Sequence, residues 1–134
     1  MKKMLLGLIV AIGAMLALSA CQEKETPTSV TKAYYEAVVA RDFKTAMNYC
    51  CKKDGAMFEE KQKETLVGLM NEKVKDEKQS KHFVAKYEIG EETIAEDGKT
   101  AVVKVKTTSV GGEELQVESN CILVDGKWYV NTGK

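Results

Sequence analysis

Three hydrophobic patterns follow one another along the chain. Behind Lys2 and Lys3, Met4–Leu18 is an unbroken apolar run of 15 residues. From Val30 the apolar positions recur at helical spacing, and from His82 they alternate residue by residue. Thr26 is a helix cap with Pro27 at the first helical position, where a missing N–H costs nothing. Val30, Ala33, Tyr34, Ala37 and Val38 form one stripe of that helix, with Lys32 and Glu36 facing out. Asp42 caps a second helix whose stripe is Phe43, Ala46, Met47 and Cys50. Asp54-Gly55 turns the chain into a third, from about Ala56 to Lys78, with Phe58, Gln62, Leu66, Leu69, Met70 and Val74 on one face.

The alternating segment divides at Asp97-Gly98, Gly111-Gly112 and Asp125-Gly126. Phe83, Ala85, Tyr87 and Ile89 predict the inner face of one strand, Ala101, Val103 and Val105 that of the next. Leu115, Val117, Cys121 and Leu123 share a face of the third, and Trp128-Tyr129-Val130 makes the fourth. The expectation is an α+β fold: three helices packed on a curved four-stranded antiparallel meander.

Composition changes the picture at the N-terminus. The chain of 134 residues is 44% apolar with 20 basic and 20 acidic side chains, but the leading run holds much of that apolar content. A run of 15 is typical of a signal peptide and short for a membrane span of roughly 20 residues. It ends in Leu18-Ser19-Ala20-Cys21, which resembles the bacterial lipobox. The resemblance implies cleavage before Cys21, diacylglycerol on its thiol and an N-acyl chain on its freed amine, with no other cofactor. It divides the chain into a signal peptide (1–20), a lipidated cysteine and tether (21–28) and a domain (29–134). Each buried methylene contributes ~0.8 kcal/mol, so two or three acyl chains anchor stably where one would not. The partner implied is a membrane of the cell envelope, and Gln22, standing where Asp would retain an inner-membrane lipoprotein, points to the outer membrane. From Cys21 onward 114 residues carry 18 basic and 20 acidic side chains, which offers no overall attraction to nucleic acid.

The segment Val30-Thr-Lys-Ala-Tyr-Tyr-Glu-Ala-Val-Val-Ala-Arg-Asp-Phe-Lys-Thr-Ala-Met47, with the terminal Lys127-Trp-Tyr-Val130, resembles small bacterial lipoproteins of the nuclear transport factor 2-like (cystatin-like) superfamily, in its domain-of-unknown-function 4878 group. The resemblance implies a helix-on-curved-sheet cone, in some members with a cavity, and no established activity. Isomerases and dehydratases of the superfamily place Asp, His or Tyr inside the cone as acid and base. Here no Asp, Glu or His falls on the predicted inward strand positions, so the expectation is no enzyme. The domain is instead expected to bind a small apolar ligand or an envelope protein. A cavity isomerase or dehydratase and a purely structural surface lipoprotein are the alternatives. Tyr34, Tyr87 and Trp128 are the candidate lining of a pocket, the alternative being core tyrosines with their hydroxyls at the rim and a Trp128 that plugs the sheet.

Cys50, Cys51 and Cys121 remain after Cys21 takes the lipid. If Cys50 and Cys121 both face the core, a disulfide between them (or between Cys51 and Cys121) would close a loop of about 72 residues and add about 4 kcal/mol. Three buried thiols acting as small apolar residues are the alternative. Adjacent cysteines lack the spacing of a redox pair, and no metal is expected. His82, opposite in phase to Phe83, faces solvent.

Overall fold

The computed structural model describes residues 25–133. Cys21 and the lipobox lie outside the described residues. Helix α1 (Pro27–Val39) starts where Thr26 and Ser29 close a reciprocal capping box, each side chain bonding the other's backbone N–H. After Ala40, Arg41 takes φ +63° and turns the chain sharply into α2 (Phe43–Met47), capped by Asp42. The strain at Arg41 is offset by its contacts. Its Nη1 donates to the carbonyls of Val38 and Val84 at 3.0 and 2.9 Å, and its guanidinium lies over the Phe83 ring.

The second helix is shorter than its stripe predicts, and Cys50 leaves it. Cys50–Cys51 is instead a short strand, β1, paired in parallel with the last strand. The long third helix also divides. α3 (Glu60–Lys75) ends where Asp76 adopts an extended backbone, and the Asp76 carboxylate accepts from the N–H groups of Lys78 and Gln79 to start α4 (Glu77–Ser80). The described residues thus form four helices rather than three.

Strands β2 (Val84–Ile94), β3 (Thr100–Ser109), β4 (Glu114–Val124) and β5 (Lys127–Asn131) make the expected antiparallel meander. With β1 on its edge it becomes a five-stranded mixed sheet of order β1-β5-β4-β3-β2. The register of β2 on β3 shifts twice, between Val84 and Lys86 and between Ile89 and Glu92. These bulges turn Ala85 out to solvent and bring Glu92 opposite the core residue Val103.

The main core lies between the sheet's inner face and the helices and includes Val30, Met47, Cys50, Phe58, Val103, Val105, Cys121, Trp128 and Val130. A smaller cluster of Ala37, Val38, Phe43 and Ala46 closes under Phe83 and Val74. Val103 and Val105 are fully buried, each contributing ~1.5–3 kcal/mol relative to exposure. Helix α3 has no buried residue; Leu66, Val67, Met70 and Val74 are half-buried, and Leu69, expected inward, is 54% exposed.

Candidate functional site

The β4–β5 hairpin positions the aromatic center of a cleft. Asp125 and Gly126 have φ of +50° and +81°, the two-residue turn whose twist matches the strands it joins. That turn sets Trp128 opposite Leu123 on the inner face, where it is buried in the main core. Val30 and Ala33 approach from the first turns of α1, and Asn48 and Tyr49 from the link between α2 and β1. Tyr49 is fixed by its carbonyl, which accepts from Val130 N at 2.7 Å. Together with Lys127, Tyr129, Ser29 and Glu25 they enclose a cleft of about 340 Å³. Its lining combines Val30, Ala33 and Trp128 with a cation, a carboxylate, an amide and hydroxyl-bearing residues, the composition of a small-ligand site. A groove of about 380 Å³ between α2 and α3 is walled chiefly by Lys44, Glu60, Lys63 and Glu64 around Val67.

A second polar group sits on the inner face beside α1. Thr31 is fully buried, its hydroxyl 3.4 Å from Ser119 Oγ and 3.5 Å from Cys121 Sγ. Next to them Glu92 Oε1 accepts from the N–H and the hydroxyl of Thr28, at 2.9 and 2.7 Å. Glu92 is thus an inward carboxylate, which the strict alternation excluded. The β2 bulge turns it inward, and its Oε1 serves the free donors of the α1 N-terminus, where a negative charge is favored. Among the described residues, no tyrosine accompanies Thr28 on that oxygen.

Tyr34 and the three thiols are held in their neutral forms. Burial raises the Tyr34 phenol well above its ordinary value, with the neighboring Cys50 and Tyr35 adding to the effect. Burial likewise pushes Cys50 up to about 12 and Cys51 to about 11, and raises Cys121 against the lowering effect of Thr31 and Ser119. None is a thiolate nucleophile at neutral pH.

The expected lining trio does not share a pocket among the described residues. Tyr34 meets Tyr35 edge-on at 5.2 Å and Tyr35 stacks on Tyr87 at 5.6 Å, so a residue passed over, Tyr35, joins the two. Its signal was present: Thr31, Tyr35 and Val38 also recur at helical spacing. Tyr87 borders a shallow cleft of about 140 Å³ with Lys106 and Glu114, and Trp128 lines the larger one. His82 is exposed, as its phase predicts.

The disulfide expectation is corrected. Cys50, Cys51 and Cys121 are free and buried. Val130 is the register partner of both Cys50 and Cys121 and stands between them. Two strand spacings separate their Cα atoms by ~9.5 Å, beyond the ~7 Å that a disulfide spans. Cys51 pairs with Asn131, one residue further along and on the other face.

A mixed sheet with helices packed on its inner face is the nuclear transport factor 2-like (NTF2-like) fold, the fold class of the solved structure from Campylobacter jejuni described below. The chain belongs to the family described as Domain of unknown function (DUF4878), which it matches over residues 19–131. Among solved structures it is similar to a Campylobacter jejuni protein named as a candidate NTF2-like transpeptidase. That likeness has 17% identity and a TM-score of 0.54, and covers 80% of this chain and 98% of that one. It is also similar to a SEC-C motif containing protein from Rhodopseudomonas palustris, at 14% identity and a TM-score of 0.53, over 87% of this chain and 84% of that one. At these identities the likeness concerns the fold. No curated protein matches the chain.

Proposed function

We propose that this protein is a lipid-anchored component of the bacterial cell envelope, held at the outer membrane through Cys21, whose NTF2-like domain binds a small apolar ligand or an envelope protein without catalysis. The cleft around Trp128 is the binding place. The observation that carries the non-catalytic reading is the use of Glu92. An isomerase or dehydratase needs a carboxylate poised beside its substrate, and the inward Glu92 is engaged by Thr28 at the start of α1. Neutral, buried thiols support the same reading against the use of these cysteines as nucleophiles in a transpeptidase reaction of the kind that the Campylobacter jejuni structure is named for.

Anchoring is supported by the lipobox sequence, and the described residues include no helix long and apolar enough to cross a membrane. Native mass spectrometry of the protein taken from its own envelope tests binding. The expected result is a retained small molecule or partner that the Ala33→Phe variant, with a ring filling the cleft, fails to retain. Retention unchanged by Ala33→Phe would move the binding place elsewhere. A mature protein that takes up no label after growth with a palmitate analogue would remove the anchor.

A further inference from the structure

We propose that the end of the domain carrying the Trp128 cleft fronts the lipid bilayer, with Tyr49, Lys127 and Tyr129 at headgroup level, while the β3–β4 hairpin points away. The inference rests on the anchoring at Cys21 proposed above and adds an orientation and a lipid-facing surface to it.

The fold fixes which end the tether enters. Helix α1 runs along the sheet with its first turn against the C-terminal half of β2, where Thr28 N bonds Glu92, and against β4, where Cys121 Sγ lies 3.9 Å from the Pro27 carbonyl. Its other end meets the start of β2, where Arg41 bonds the Val84 carbonyl. The β3–β4 hairpin sits at that second end, with Val110 N donating to Phe83 O. The tether therefore joins the end bearing the β2–β3 and β4–β5 turns, and Glu25, four residues from Cys21, is itself on the cleft rim.

Reach then sets the orientation. Six peptide steps from Cys21 to Pro27 span at most about 20 Å when fully extended. The ten residues of β3 are ~34 Å long. An inverted domain, with the β3–β4 hairpin on the bilayer, would have to lift Pro27 by the length of the sheet, which the tether cannot do.

The chemistry of the near end suits the place. Tyr49 and Tyr129 are half-buried residues at this end of the fold, and tyrosine side chains favor the boundary between water and hydrocarbon. Lys127 is exposed beside them to meet lipid phosphate, and Ile94, at the same end of β2, is 47% exposed.

Trp128 is the single tryptophan of the chain and makes the orientation measurable. The full protein, purified from its own membranes with the lipid on Cys21 verified by mass, is placed in phosphatidylcholine–phosphatidylethanolamine vesicles with or without a nitroxide on the headgroup. Headgroup nitroxide should quench most of the Trp128 emission, and inserting twelve Gly/Ser residues after Gln22 should abolish most of the quenching. Hydrogen exchange on the unaltered protein gives a second readout, with vesicle-dependent protection at Asn48–Tyr49 and Lys127–Tyr129 and none at Val110–Glu113. Lipidated protein with unquenched Trp128, or with protection confined to Val110–Glu113, overturns the orientation alone. Protein whose mass carries no lipid overturns the anchoring and the orientation with it.

Discussion

Glu92 illustrates how one residue's role depends on a backbone irregularity. Counted along an ideal strand it belongs to solvent, but the shift between Ile89 and Glu92 aims it at the first turn of α1. One oxygen takes two donors of Thr28 there, a charge-assisted cap from a residue far along the chain. Replacing Glu92 with Ala should cost about 1–2 kcal/mol, read as a lowered urea midpoint at unchanged slope. Thr28→Val should add little in the Glu92→Ala background, because the two changes remove the same contact; additive losses would refute the pairing. The thiols give a second expectation. Val130 separates Cys50 from Cys121, so alkylation of unreduced, denatured protein should modify all three of Cys50, Cys51 and Cys121. In the folded state burial holds Cys50 near 12 and Cys51 near 11, against an ordinary thiol value of 9.0. The folded state therefore holds these protons more tightly than the unfolded chain. Stability from this source is complete below pH 9 and is lost as pH rises from there toward 12. Urea titrations from pH 7 to 11 should show a flat region followed by a decline; a rise above pH 9 would contradict the burial of both thiols.

At the scale of elements, α3 differs from its neighbors. The sheet side of α1 includes buried Val30, Thr31, Ala37 and Val38, whereas α3 buries no residue fully and touches the core through half-buried Leu66, Val67, Met70 and Val74. Segments with so little apolar burial open locally at lower free energy than the core strands. Amides of α3 should exchange at least about tenfold faster than those of Val103 and Val105 in β3, and equal protection would show that α3 is held by more than its half-buried side chains. The same helix marks the boundary of what periodicity could reveal. Its apolar spacing was visible, but spacing cannot say how deeply a face is covered, and Leu69 lies just off the packed stripe. Alternation located β2 to β5 and their turns because each is bounded by a Gly-containing pair. It could not locate β1, since two residues carry no period, and β1 forms only because the far end of the chain supplies β5 as a partner. The cleft was half legible for a related reason. Trp128 stood out as an apolar ring in a strand, while Tyr49 and Asn48 belong to a link whose position depends on β1.

Over the whole molecule, the proposed leader and the domain address different questions. Among the described residues both core clusters begin at Val30 or later, outside the stretch 1–20 proposed as the leader. This separation can be tested through Cys21. Under the anchoring proposed above, a Cys21→Ser change removes the thiol that would accept diacylglycerol, and with it the acyl chains whose methylenes contribute ~0.8 kcal/mol each to membrane binding. The chain would then lose its labeling by a palmitate analogue and stay at the membrane, if at all, only through an uncleaved leader. Its domain should keep the same thermal midpoint within about 2 °C, because a shift of 1 kcal/mol moves a domain of this size by roughly 4 °C and no core residue has changed. Labeling retained by Cys21→Ser would place the lipid on another residue. A midpoint lowered well beyond that margin would mean that the lipidated N-terminus contributes to the domain's stability. Such contact would fall at the end of the fold where Glu25 meets the Trp128 cleft.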